Sequence, residues 1–381
     1  MQAVAFFTKK LNIEEAHMKK TFLALIAIIA LAACAAAQPA APIPAPADAL
    51  LQEELPGEEA TLELPGEAPP ATQEAPPGFT VIDQAGREVY IAAPIERLVS
   101  GFFVSTSACI ALGITDMMVG VNSRVYDRPL FVKAAPELLD LPDVGTARNF
   151  NLETAAALEP DLVILPLRLL ESGEILAELG ITVIMVNPES HDELVEMIEL
   201  IGKATGATER AERLVNHYRS ELLAIAALVE SVETRPTVLM GGNSSHLTAA
   251  PLEMYQSSII YSAGGTNAAH SLDGQFWTEI SYEQYLYFNP SVIIIPSEAV
   301  YGVDDILGNP QLQAVDAVVS GRVYQMPRGF EAWDAPVPSG ILGVRWLLHV
   351  LHPELFSFEE LFENAAAFYL EFYGIEIDAL Y

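Results

Sequence analysis

Thr208-Glu209-Arg210-Ala211-Glu212-Arg213-Leu214-Val215-Asn216-His217-Tyr218-Arg219-Ser220-Glu221-Leu222-Leu223-Ala224-Ile225-Ala226-Ala227-Leu228-Val229-Glu230-Ser231-Val232 contains neither glycine nor proline. Its apolar positions Ala211, Leu214, Val215, Tyr218, Leu222, Ile225 and Leu228 recur at three- and four-residue spacing. That is the stripe of one long amphipathic helix of roughly seven turns.

On the amino side of this helix, apolar strand-like runs alternate with helical stretches. Arg97-Leu98-Val99-Ser100, Met118-Val119-Gly120-Val121, Asp161-Leu162-Val163-Ile164-Leu165 and Thr182-Val183-Ile184-Met185-Val186 read as strands. Helices are expected through Ala108 to Leu112, from Glu153, from Ser172 to Leu179 and from His191 to Ala204. After Pro236 the alternation resumes with Thr237-Val238-Leu239-Met240, Ser291-Val292-Ile293-Ile294-Ile295 and Arg322-Val323-Tyr324-Gln325-Met326, and helical stretches cover Gly340 to Leu351 and Phe358 to Phe372. Hydrophobic strands repeatedly alternating with helices indicate mainly parallel central sheets. The reading is therefore α/β, with an N-terminal lobe over 79–206, a connecting helix over 207–233 and a C-terminal lobe over 234–381. A small hairpin, Thr80 to Asp83 and Glu88 to Ile91 around Gln84-Ala85-Gly86, opens the folded part.

Residues 1–34 carry an export signal. Lys19-Lys20 precede an apolar run from Phe22 to Ala33 that is too short for a comfortable membrane span of about 20 residues. Leu31-Ala32-Ala33-Cys34 resembles a bacterial lipobox, which implies lipidation of Cys34 and anchoring to the outer face of the cytoplasmic membrane. Met18 is the expected start, because Lys19-Lys20 already supplies the positive region. From 35 to 78 the chain turns to Pro, Ala and Glu and is expected to be a disordered tether.

With 51 acidic against 19 basic side chains, a formal charge of −32, the protein is a poor partner for nucleic acid. Two cysteines, Cys34 and Cys109, give no disulfide framework, and Cys109 within Ser105-Thr106-Ser107-Ala108-Cys109 reads as a small buried hydrophobe. No GxSxG elbow, phosphate-cradling glycine loop or Cys/His arrangement is present, so neither an enzyme nor a resident cofactor is expected. The seven histidines show no metal-type cluster, which argues against direct capture of a bare transition metal.

The layout resembles the helix-hinged (class III) binding proteins of ABC importers for ferric siderophores, haem and cobalamin. Five blocks carry the likeness: Val81–Val89 with Ala93–Ser100, Asn151–Ile164, Trp277–Gln284 leading to Asn289–Ile294, Gly321–Tyr324, and Trp333–Pro336 with Pro338-Ser339. The resemblance implies a monomer that holds a ligand between its lobes and delivers it to a permease dimer with its ATPase. Glu153 and Glu283, each in the first turn of an expected helix behind Asn151 and Ser281, match the pair that docks on permease arginines. An acidic residue there also simply complements the helix dipole.

Loops at the carboxyl ends of parallel strands should form the cleft. Those of the first lobe contain Arg124, Arg128, Arg148 and Arg168, with Tyr126 beside them, and suggest a positive rim for an anionic ligand. The second lobe offers Asn243, His246, Trp277, Phe330 and Trp333, aromatics suited to a flat or greasy ligand face. The expected cargo is an iron complex or cobalamin. A chelated nickel ion or an oxyanion such as molybdate is the alternative within the fold, and a lipid-anchored surface enzyme or adhesin the alternative outside it.

Overall fold

The computed structural model describes residues 78–380; the export signal, Cys34 and the tether up to residue 77 lie outside the described residues. The chain begins with the antiparallel hairpin β1 (Gly78–Ile82) and β2 (Glu88–Ala92). There follow β3 (Leu98–Ser100), α1 (Phe103–Ala111), β4 (Met118–Val121), α2 (Pro129–Ala134), the short pair β5 (Gly145–Thr146) and β6 (Asn149–Phe150), and α3 (Leu152–Ala157). The first lobe closes with β7 (Leu162–Pro166), α4 (Leu170–Glu178), β8 (Thr182–Val186) and α5 (His191–Thr205). Its sheet runs β4-β3-β7-β8, all parallel.

Period-two alternation sorts these strands onto two apolar faces. Val99, Val163, Leu165, Val183 and Met185 pack under α4 in one cluster, while Leu98, Leu162, Ile164, Ile184 and Val186 face the main core. Each such side chain contributes about 1.5–3 kcal/mol when fully buried.

Helix α6 (Thr208–Val229) is the connector, shorter at its carboxyl end than the sequence periodicity suggests. Ala211, Leu214, Val215, Tyr218, Ile225 and Val229 are buried along one stripe. Gly206 ends α5 in the left-handed conformation, φ +80°, which only glycine adopts without strain, and the chain turns directly into α6.

The second lobe comprises β9 (Thr237–Met240), β10 (Thr248–Ala249), α7 (Tyr255–Ser262), β11 (Thr266–Asn267), β12 (Thr278–Glu279), α8 (Tyr282–Phe288) and β13 (Val292–Ile295). It continues through α9 (Val303–Leu307), α10 (Asp316–Val319), β14 (Val323–Gln325), α11 (Gly340–Leu351) and α12 (Phe358–Tyr373). Its parallel sheet runs β11-β9-β13-β14. Val238, Met240, Val292 and Ile294 join the same core cluster as the first lobe's inner face and the connector.

The C-terminal boundary is less simple than 234–381 forming one lobe. Helix α12 returns to the first lobe, where Tyr373 Oη lies 3.2 Å from Ser107 Oγ on α1. Arg210 of the connector donates to the Phe372 carbonyl, and His217 stacks on Phe368 and Phe372. Both lobes, connector and final helix thus share one core, which resists a wide hinge motion.

Candidate functional site

At the carboxyl ends of the first-lobe strands a buried hydroxyl network fixes the cleft floor. Ser100 Oγ lies 2.8 Å from Ser105 Oγ, Thr106 Oγ1 donates to Ser100 Oγ, and Asn122 Nδ2 donates to Thr106 Oγ1 at 2.9 Å. The Phe102 carbonyl accepts from Ser105 and Thr106 as well. Buried polar groups so fully satisfied hold the ends of β3 and β4 in one arrangement.

The next wall is set by the hairpin. Asp83 Oδ2 accepts from the Met185 N–H, Gln84 Oε1 accepts from the Asn187 N–H at 2.7 Å, and Gln84 Nε2 donates to the Glu193 carbonyl at 2.8 Å. The turn of the opening block therefore pins the loop between β8 and α5.

Between these walls lies a cavity of about 140 Å³. Phe102, Pro166, Leu167, Arg168, Val186, Asn187, Pro188 and Glu189 line it from the first lobe, Gln275 and Phe276 from the second. The Arg168 guanidinium lies over the Phe276 ring, 5.3 Å from its centroid. Burial raises the Glu189 pKa, opposed by the Tyr255 backbone N–H and by Arg168. Helix α1 starts behind Phe102 with no side-chain cap and no acidic residue in its first turn.

A second cross-lobe contact joins Arg124 and Arg128 to Glu298. Arg124 Nη2 lies 2.8 Å from Glu298 Oε2, and Arg128 Nη2 lies 3.1 Å from Glu298 Oε1. The buried Arg128 stacks on the Phe103 ring at 4.0 Å, and its Nε and Nη1 are without a partner. Behind it sit the buried Glu331 and Asp334, both with pKa raised by burial.

The structure separates the residues expected in the cleft. Arg168 lines the cavity. Arg124 and Arg128 share one carboxylate, the opposite lobe's Glu298, so each is tied across the cleft while the trio keeps one net positive charge. Arg148 is exposed between β5 and β6, away from the cavity lining, and Tyr126 donates its hydroxyl to the Leu141 carbonyl. Trp277 packs beside Gly242, where a Cβ would come within 3.2 Å of the indole. Asn243 keeps a buried Oδ1 without a partner. His246 sits within the second lobe, 3.3 Å from Tyr282 Oη and stacked on Tyr301. Phe330 packs on Tyr369 and under Lys133, and its carbonyl accepts from the Leu130 N–H. Trp333 is a core residue rather than a ligand-facing one: it is 0% exposed, and its Nε1 donates to Tyr369 Oη at 2.8 Å. Among the described residues no group of three or more His, Cys, Asp or Glu side chains is placed to share a metal ion.

Asn187 and Glu189 were missed by sequence reasoning. Both follow the apolar run Thr182–Val186, and the rule that ligands gather beyond the carboxyl ends of parallel strands points to that loop as much as to the others.

Glu153 and Glu283 are both exposed on the first turns of α3 and α8. Asn151 caps α3 by accepting from Thr154 N–H, and Ser281 forms a capping box with Gln284. The Glu283 carboxyl is held below its ordinary range by its own backbone N–H and the Ser281 hydroxyl. A more open hollow of about 310 Å³ lies between α1 and α6, but Arg210 there is committed to the Ala111 and Phe372 carbonyls.

Residues 99–328 match the family described as periplasmic binding protein. The molybdate-binding protein MolA of Haemophilus influenzae is 26% identical over 322 residues, 77% of this chain and 90% of that protein. The ABC transporter substrate-binding lipoprotein YvrC of Bacillus subtilis is 26% identical over 291 residues, 73% of this chain and 87% of that protein. A periplasmic solute-binding protein of Veillonella parvula superposes with a TM-score of 0.69 at 27% identity, covering 79% of this chain and 94% of that one.

Proposed function

We propose, from the premise that this chain belongs to the periplasmic binding protein family, that it is the extracytoplasmic binding component of an ABC importer and captures a small oxyanion between its lobes. The observation that carries the ligand class is the size of the cavity. Pockets for drug-sized ligands run to roughly 300–1,000 Å³, and about 140 Å³ bounded by cross-lobe contacts suits a compact anion better than a haem, siderophore or cobalamin. Arg168 supplies a multidentate positive donor, and Phe102 and Phe276 supply apolar walls on either lobe. The name of the Haemophilus relative, a molybdate-binding protein, agrees with this choice.

Delivery rests on Glu153 and Glu283, one exposed carboxylate on each lobe, which suit a two-sided contact with basic residues of a permease pair. The lipid anchor rests on Leu31-Ala32-Ala33-Cys34 and agrees with the lipoprotein named among the relatives. Among the described residues no helix is long and apolar enough to cross a membrane.

The experiment is an uptake and binding pair. Glu153→Ala with Glu283→Ala should abolish uptake of the bound solute by cells while the purified variant binds it as tightly as wild type. Uptake undiminished in the double variant would refute the delivery role, and failure to bind molybdate, tungstate or sulfate would refute the ligand class.

A further inference from the structure

A pocket for an anion lined by a carboxylate needs an explanation. Glu189 lines the same cavity as Arg168, on the loop that Gln84 pins. We infer that Glu189 makes anion capture proton-coupled, taking up a proton from solvent as the oxyanion enters and, with that proton still bound, donating a hydrogen bond to an anion oxygen. This rests on the oxyanion reading of the site and specifies how the site discriminates: it favours ligands that accept a hydrogen bond and leaves Glu189 to repel them when the pocket is alkaline.

The surroundings support the direction. Glu189 is largely withdrawn from water, so its charge is already disfavoured, and a dianion placed against it raises the cost further. The groups that face it are the Arg168 guanidinium and the Tyr255 N–H, which favour the carboxylate, and Glu193 on α5, which disfavours it. An entering anion competes for Arg168, removing one of the two interactions that hold Glu189 ionised. His191, two residues on, does not supply the proton, because burial lowers its pKa to about 4 and it is neutral at neutral pH. Nothing leaves or is oxidised in this step: one proton moves from solvent to a Glu189 oxygen.

Calorimetric titration of the mature protein with molybdate and with tungstate, in buffers of different ionisation enthalpy, counts the protons taken up per anion. Wild type should take up a proton on binding, and its Kd should fall, by up to about tenfold per unit, as the pH is lowered. Glu189→Gln keeps an oxygen acceptor for the Tyr255 N–H and carries no charge; it should bind more tightly than wild type at about pH 8 and lose both the pH response and the proton uptake. Wild-type binding that is flat with pH and releases or absorbs no proton overturns the inference while leaving the oxyanion reading intact, as does a Glu189→Gln protein with the wild-type pH response. No binding of either anion by either protein overturns the oxyanion reading and this inference with it.

Discussion

Arg128 of the first lobe and Glu298 of the second meet at 3.1 Å across the cleft, the guanidinium buried and the carboxylate shared with the exposed Arg124. Removing the carboxylate leaves a buried cation that already has two unpartnered nitrogens. Glu298→Ala should therefore cost on the order of 3–5 kcal/mol of stability. Arg124→Ala, whose side chain is 45% exposed, should cost less than about 1 kcal/mol. Chemical denaturation of the two variants measures the difference, and equal losses would mean that the contact is not a buried pair.

A second prediction concerns acid. His191 Nδ1 lies 2.8 Å from Tyr218 Oη, which lies 2.9 Å from Tyr255 Oη, so the chain joins first lobe, connector and second lobe. Burial lowers the His191 pKa from 6.5 to about 4. The unfolded chain then binds more protons than the folded one between these values, so stability is full above the unfolded value and is lost as pH falls toward the folded one. The loss should reach about 3 kcal/mol by pH 4 in wild type, and His191→Gln should lack this component. Denaturation midpoints followed against pH read it directly.

Arginines that look equivalent in the sequence should behave differently in binding. Arg168→Ala removes the cavity's basic donor and should weaken oxyanion affinity by about 10- to 100-fold, the worth of a charged hydrogen bond. Arg148→Ala, on the exposed turn between β5 and β6, should change it by less than about twofold. Competition binding of one anion to both variants separates them.

Fluorescence provides a fourth test. Of the three tryptophans, Trp333 and Trp346 are buried at 0% and 2% exposure, whereas Trp277 is partly exposed next to the cavity residue Phe276. Trp277→Phe should abolish any ligand-induced change in emission. Trp333→Ala should instead destabilise the fold by about 3–5 kcal/mol through the cavity it leaves, with the emission response retained in the protein that folds.

Local periodicity made the scaffold readable. The stripe Ala211, Leu214, Val215, Tyr218 announces α6, and runs such as Leu162–Leu165 and Val292–Ile295 announce parallel strands because both of their faces are buried. Asn151 and Ser281 mark the starts of α3 and α8 because capping is a contact over three residues. The site was less legible because its decisive contacts join residues distant in the chain. Nothing near Arg124 or Arg128 in sequence indicates that they will share Glu298, and nothing near Phe358–Tyr373 indicates that this helix returns to α1. An aromatic in a loop block, as Trp333 shows, carries no record of which way it faces; its partner Tyr369 lies on a later helix.

The central claim is that a small oxyanion is held between the lobes by Arg168. Equilibrium binding of the purified mature protein to molybdate, tungstate and sulfate, set beside haem, cobalamin and a ferric hydroxamate, tests it most directly. Saturable one-to-one binding of an oxyanion, weakened about 10- to 100-fold by Arg168→Ala, is the predicted result. Tight binding of one of the large complexes with no response to any oxyanion would contradict it.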